Sequence, residues 1–130
     1  PEELAEFRQI VEPALLKWAI TRRTDEDLKA LQSNIDYCEN ALNQGAPDLS
    51  KQIEFHVLLA KACRNRLISS VMEAVTKVFE DIIGKLDLTL QIFRIDLDYS
   101  KMFYECILHH RFEKAQELMV AHFEETKKIN

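Results

Sequence analysis

Apolar positions recur along this chain at steps of three and four residues and almost nowhere alternate by two. That spacing is the mark of amphipathic helices, each turning one stripe inward. Leu4, Phe7, Val11, Leu15 and Trp18 predict a first helix over about 1–23, opened by Pro1 with Glu2 and Glu3 at the positive end of its dipole. Pro13 stands inside it, removes one backbone hydrogen bond and predicts a kink. Thr24, followed by three acids, reads as the cap of a second helix running through Leu28, Leu31, Ile35, Cys38 and Leu42 to Gly45. Ala46-Pro47-Asp48 is a turn, and Asp48 caps a third helix to about residue 63. Asn65 breaks and caps before a fourth, about 67–83, which Gly84 ends. A denser, partly β-branched stretch over 86–97 predicts a fifth helix, 99–109 a sixth and 112–127 a seventh. With only two glycines and three prolines for turns, the pattern implies an all-α fold, an antiparallel bundle of six to seven helices.

Two of the predicted stripes carry a histidine. His56 shares a face with Leu49, Gln52, Ile53, Ala60 and Cys63; His122 shares one with Phe112, Ala115, Met119 and Thr126. Inward imidazoles are either core residues hydrogen-bonded to neighbours or the floor of a ligand pocket. Either way they need partners, because a buried polar group left unsatisfied costs about 1–3 kcal/mol. Gln52 and His56 lie one helical turn apart, but a stable transition-metal site usually takes three or four good donors, and a neutral amide oxygen is a poor one. His109 and His110 are adjacent at a helix end and read as surface residues. Arg8 lies on the same side of its helix as Leu15 and Ala19. It is a snorkelling surface residue, or one paired with Glu12 at i+4, or a guanidinium that grips a carboxylate in a pocket.

A chain of 130 residues is one domain, 1–130. Its net charge of −5 and scattered basic residues argue against a nucleic-acid surface. Arg22, Arg23, Arg64, Arg66, Lys127 and Lys128 read instead as cations near helix termini. Cys38, Cys63 and Cys106 are odd in number and far apart, as expected of reduced thiols in a cytoplasmic protein. Lys17, Lys61 and Lys77 interrupt the longest apolar runs, so no membrane span is expected. No nucleophile elbow, HExxH, phosphate-binding glycine loop or spaced Cys–His pair is present, and no enzyme is expected. The chain starts at Pro1 rather than at Met, as expected of part of a longer protein.

Phe7-Arg8-Gln9-Ile10-Val11-Glu12-Pro13, Ala19 and Thr24-Asp25-Glu26-Asp27-Leu28 resemble the opening of the FadR-like C-terminal (FCD) domain of GntR-superfamily bacterial transcription regulators. Glu54-Phe55-His56 with Leu59-Ala60-Lys61-Ala62-Cys63-Arg64-Asn65 resembles its FH…LA…N segment, and Ile107-Leu108, Ala115, Met119, Ala121 and His122-Phe123 resemble its closing pattern. The resemblance covers almost the whole chain. It implies a FadR-like helical bundle, usually a homodimer, with a central cavity for a small effector. In many members one Asp and three His hold a divalent metal there. Carried over by position, those ligands fall on Gln52, His56, Ser100 and His122, so two of four are replaced. The resemblance therefore implies a pocket without a cofactor, in which Gln52, His56, Ser100 and His122 hydrogen-bond an organic acid and Arg8 anchors its carboxylate. Alternatives are a reduced site in which His56 and His122 alone hold zinc or nickel, a ligand-free dimerisation module, and a metal-dependent enzyme. The regulators' winged-helix DNA-binding domain has no counterpart here, so any contact with DNA is expected through a domain absent from this chain.

Overall fold

A computed structural model describes residues 2–127, with side chains through Glu125. Pro1 as a first helical residue, the side chain of Thr126 in the last stripe and the terminal cations Lys127 and Lys128 lie outside what is described. Among the described residues there are six helices and no strand: α1 (Glu2–Arg22), α2 (Asp25–Asn43), α3 (Leu49–Ala62), α4 (Arg66–Ile83), α5 (Leu90–Leu108) and α6 (Phe112–Lys127). The all-α bundle is the expected fold.

The predicted fifth and sixth helices are a single element. Residues 86–89 are connection, and α5 starts where the Thr89 hydroxyl accepts from the Ile92 N–H at 3.2 Å. Nothing between Leu97 and Tyr99 can stop a helix: Asp98 is polar but neither Gly nor Pro, and Leu97, Tyr99, Ser100, Phe103 and Ile107 continue one buried face through it. The other boundaries follow their capping residues. Thr24 and Asp27 form a reciprocal capping box, and Asp48 and Asn65 accept from Lys51 N–H and Ile68 N–H. Gly45, at φ 73°, closes α2 as Gly45 N–H bonds to the Leu42 carbonyl and Ala46 N–H to that of Ala41. His110, at φ 56°, takes the same left-handed role after α5, where a side chain is strained.

At the centre is α3, which packs against α1, α2, α4 and α5. Its buried set, Gln52, Ile53, Phe55, Leu59, Ala60 and Ala62, is wider than the single predicted stripe, because neighbours on several sides leave only a narrow solvent face, with Ser50, Lys51 and Lys61 exposed. The arginines at the end of α1 satisfy helix ends elsewhere. Arg22 donates to the Cys63 carbonyl at 3.2 Å, and Arg23 to those of Ile107 and Leu108, both at 3.1 Å. Arg64 grips Asp27 through two nitrogens and also donates to the Thr24 hydroxyl at 2.8 Å, clamping the α3–α4 junction to the start of α2. The peripheral helix is α4, which packs mainly on α3 and leaves Leu67, Val71 and Val78 exposed.

Candidate functional site

The most buried line of α1 runs Arg8, Glu12, Leu15, Leu16, Ala19. An ion pair therefore sits on the helix's core-facing stripe, where an apolar residue would ordinarily stand. Arg8 donates through Nη2 to Glu12 Oε1 at 3.2 Å, and the guanidinium lies 4.3 Å above the Phe79 ring of α4. His56 of α3 brings Nδ1 within 3.1 Å of the same carboxylate oxygen. The other oxygen, Glu12 Oε2, is buried and has no hydrogen-bond partner. Burial pushes the Glu12 pKa up, but the adjacent Arg8 charge, with the bond and charge of His56, overcomes it and holds the carboxyl at about 2. Arg8, Glu12 and His56 form one wall of a cleft whose other wall is α4, contributing Met72, Val75, Thr76 and Phe79. The space between the walls is small, ≈ 10 Å³, about enough for one water.

A second polar group continues across the bundle. Gln52, one turn before His56, donates through Nε2 to Asp96 Oδ2 at 2.8 Å and to the Phe93 carbonyl at 3.2 Å. Asp96 Oδ1 lies 3.9 Å from Nε2 of His122 on α6. The His122 ring stands edge-on to Tyr99 at 4.9 Å and to Phe103 at 5.9 Å. Burial works against ionised Asp96, yet its pKa is lowered, chiefly through His122, the charge of His56 and the bond from Gln52. Gln52 and His56, one turn apart on α3, set the two groups side by side, and the charge of each histidine favours the ionised form of both carboxylates.

Of the residues singled out in the sequence, Arg8, Gln52, Ser100 and His122 are buried and His56 is partly so. Arg8 and His56 meet at the cleft, Gln52 and His122 meet through Asp96, and Ser100 lies one turn past Asp96 without lining the cleft. Of the alternatives for Arg8, the pair with Glu12 forms, inside the bundle, and the snorkelling surface residue is corrected, because Arg8 is buried. Glu12 and Asp96 are functional candidates that the sequence reading missed. Glu12 stands three and four residues before Leu15 and Leu16, a position that marks it as inward, and Asp96 precedes Ser100 by one turn on the same face. The donors do not fit the four-ligand metal centre of many members of the family that the sequence resembles. His56 is turned to Glu12, Gln52 presents its amide nitrogen to Asp96, and no three His, Cys, Asp or Glu side chains converge to hold an ion among the described residues.

The described residues thus bury a polar centre inside an α-helical bundle. Residues 3–125 match the model of the FCD domain, and the chain belongs to that family. The solved structure of Streptococcus agalactiae GntR shares its fold, with TM-score 0.82 at 22% identity over 98% of this chain and 58% of that one. The chain thus spans a little over half of that protein's length. No curated protein sequence matches it.

Proposed function

We propose that this chain is the effector-sensing domain of a GntR-type transcription regulator. It binds a small molecule against Arg8, Glu12 and His56 beneath α4, and thereby controls DNA binding by a winged-helix domain elsewhere in the protein. Membership of the FCD family points to a regulator and not to an enzyme. The observation that carries the reading is the Arg8–Glu12–His56 cluster itself, buried beside a cleft with one carboxylate oxygen unmatched. Ionisable groups with strongly shifted pKa values cluster at functional sites, and this buried cluster stands beside a cleft. No helix of the described residues is long and apolar enough to cross a membrane, and the setting we propose is the cytoplasm. We further propose that the pocket works without a metal cofactor. Stoichiometric zinc or nickel in purified protein, lost on substituting His56 or His122, would restore the two-histidine alternative.

The direct test is thermal unfolding in the presence of organic acids, sugar acids, amino compounds and acyl-coenzyme A thioesters. A true effector stabilises the folded state in saturable fashion, by about 2.7 kcal/mol at one hundred times its Kd. A panel without any response favours the ligand-free module, a reading supported by how tightly α4 closes the cleft. For self-association we propose the outer face of α4. Leu67 is 74% exposed, with Val71 and Val78 on the same side at i+4 and i+11. Sedimentation of the protein and of Val71→Glu tests it: a dimer that the substitution dissolves supports this face.

A further inference from the structure

The buried oxygens at this centre reveal what the bound molecule must offer. Glu12 Oε2 and Gln52 Oε1 are buried without hydrogen-bond partners, and both can only accept. The Gln52 amide cannot turn over to relieve this, because its nitrogen is held by Asp96 and by the Phe93 carbonyl. Arg8 directs one of its five N–H groups, on Nη2, to Glu12 Oε1, so its charge is already set against a carboxylate. Among the permanently charged groups, Arg8 offsets one of two carboxylates, Glu12 and Asp96. An incoming carboxylate would meet a neutralised cation and an exposed lone pair; an incoming donor would meet its complement.

We propose that the effector presents a protonated amine whose N–H groups donate to Glu12 Oε2. This rests on the sensing reading above and names the chemistry of its ligand. The room beside Glu12, ≈ 10 Å³, suits a head group the size of a water, which is the size of an ammonium. The opposing wall, Met72, Val75 and Phe79, suits the hydrocarbon that carries it. A charge-assisted hydrogen bond in so dry a place is about twice as strong as a neutral one. A neutral hydroxyl in the same position would leave the extra negative charge unmatched.

Calorimetric titration of the chain tests this with three probe series at equal ionic strength and neutral pH. They are methyl- to butylammonium chloride, the N,N,N-trimethyl counterparts, and sodium acetate to valerate. Saturable binding is expected of the primary ammonium ions. It should weaken at least tenfold for the trimethyl compounds, which keep the charge but lose the N–H donors, and at least tenfold in Glu12→Gln. Equal binding of the trimethyl compounds, or an undiminished response in Glu12→Gln, overturns the inference. Should the variant not fold, the trimethyl comparison decides alone. Saturable binding of the carboxylates without the ammonium ions overturns it while leaving the sensing role intact. Silence in all three series also overturns it, and the sensing role then stands or falls on the broader panel of compounds.

Discussion

Glutamine in place of Glu12 keeps the size of the side chain and removes a charge on which Arg8 and His56 both depend. The magnitude can be reached by two routes. The carboxyl falls from an ordinary 4.5 to about 2, and at about 1.4 kcal/mol per tenfold the ionised form contributes about 3 kcal/mol to folding at neutral pH. Alternatively, removing one partner of a buried pair costs about 3–5 kcal/mol, because the other charge stays behind without compensation. The routes agree, and the loss is large beside the ~5–15 kcal/mol that holds a typical domain folded. The direction with pH follows from the depressed value. Stability from Glu12 is complete above the unfolded-state 4.5 and is lost as the pH falls toward about 2. Urea unfolding followed by circular dichroism, at pH 7 and at steps down to pH 3, should show Glu12→Gln about 3 kcal/mol less stable at neutrality, with the gap narrowing below pH 5. Adding Arg8→Met to the variant should recover part of the loss, since it removes the stranded guanidinium. A gap that stays constant with pH, or one below about 1 kcal/mol at pH 7, would refute the account of the ion pair as the source of that stability.

Three further substitutions or measurements probe other parts of the fold. His110→Gly relieves a side chain held at φ 56° and should raise stability by about 0.5–1 kcal/mol, seen as a melting temperature a few degrees higher. Thr24→Ala removes the acceptor for the Asp27 N–H and for Arg64 and should cost about 1–2 kcal/mol in urea unfolding, with Thr24→Ser retaining most of it. The thiols of Cys38 and Cys63 are buried and pushed up to about 12, and that of Cys106 is raised by burial as well. Ellman's reagent should therefore react slowly with the native chain at neutral pH and rapidly with all three cysteines in urea.

Most of the helical frame was legible because it is written in local chemistry. Thr24, Asp48 and Asn65 cap where cap residues should, and Gly45 adopts the positive φ that made it a stop. The error between Leu86 and Tyr99 has a local cause too. A shift in apolar density there resembles a boundary, although nothing breaks the backbone ladder, and the helix begins later, at the Thr89 cap. The site was legible by half. The stripes bring Arg8, His56 and His122 inward, but they do not single out the carboxylates these residues meet, since Asp and Glu are mostly exposed. Glu12 could have been found from its spacing to Leu15 and Leu16. Asp96 could not be joined to Gln52 and His122 from sequence, because that contact spans 44 residues in one direction and depends on how α3, α5 and α6 lean together.

The position of α4 gives the polar centre a mechanical consequence. Met72, Val75, Thr76 and Phe79 close the cleft, while Leu67, Val71 and Val78 of the same helix face outward. A helix is stiff over these few turns, so its two faces cannot move independently. A ligand larger than one water must push the inner face away from Arg8 and Glu12, and the outer face is carried with it. The resistance is modest, because α4 packs mainly on α3 and is not wedged between two layers. Its start is tied more firmly: Arg64 binds the Asn65 cap region to Asp27 and Thr24, whereas the Gly84 N–H bonds within the helix's own last turn, to the Glu80 carbonyl at 2.8 Å. Displacement is therefore a tilt about the anchored start, in which Val78, farther from Asn65, moves more than Val71. Any surface docked there would feel the occupancy of the cleft through that helix, by differential contact in the two positions and without a change in the rest of the bundle.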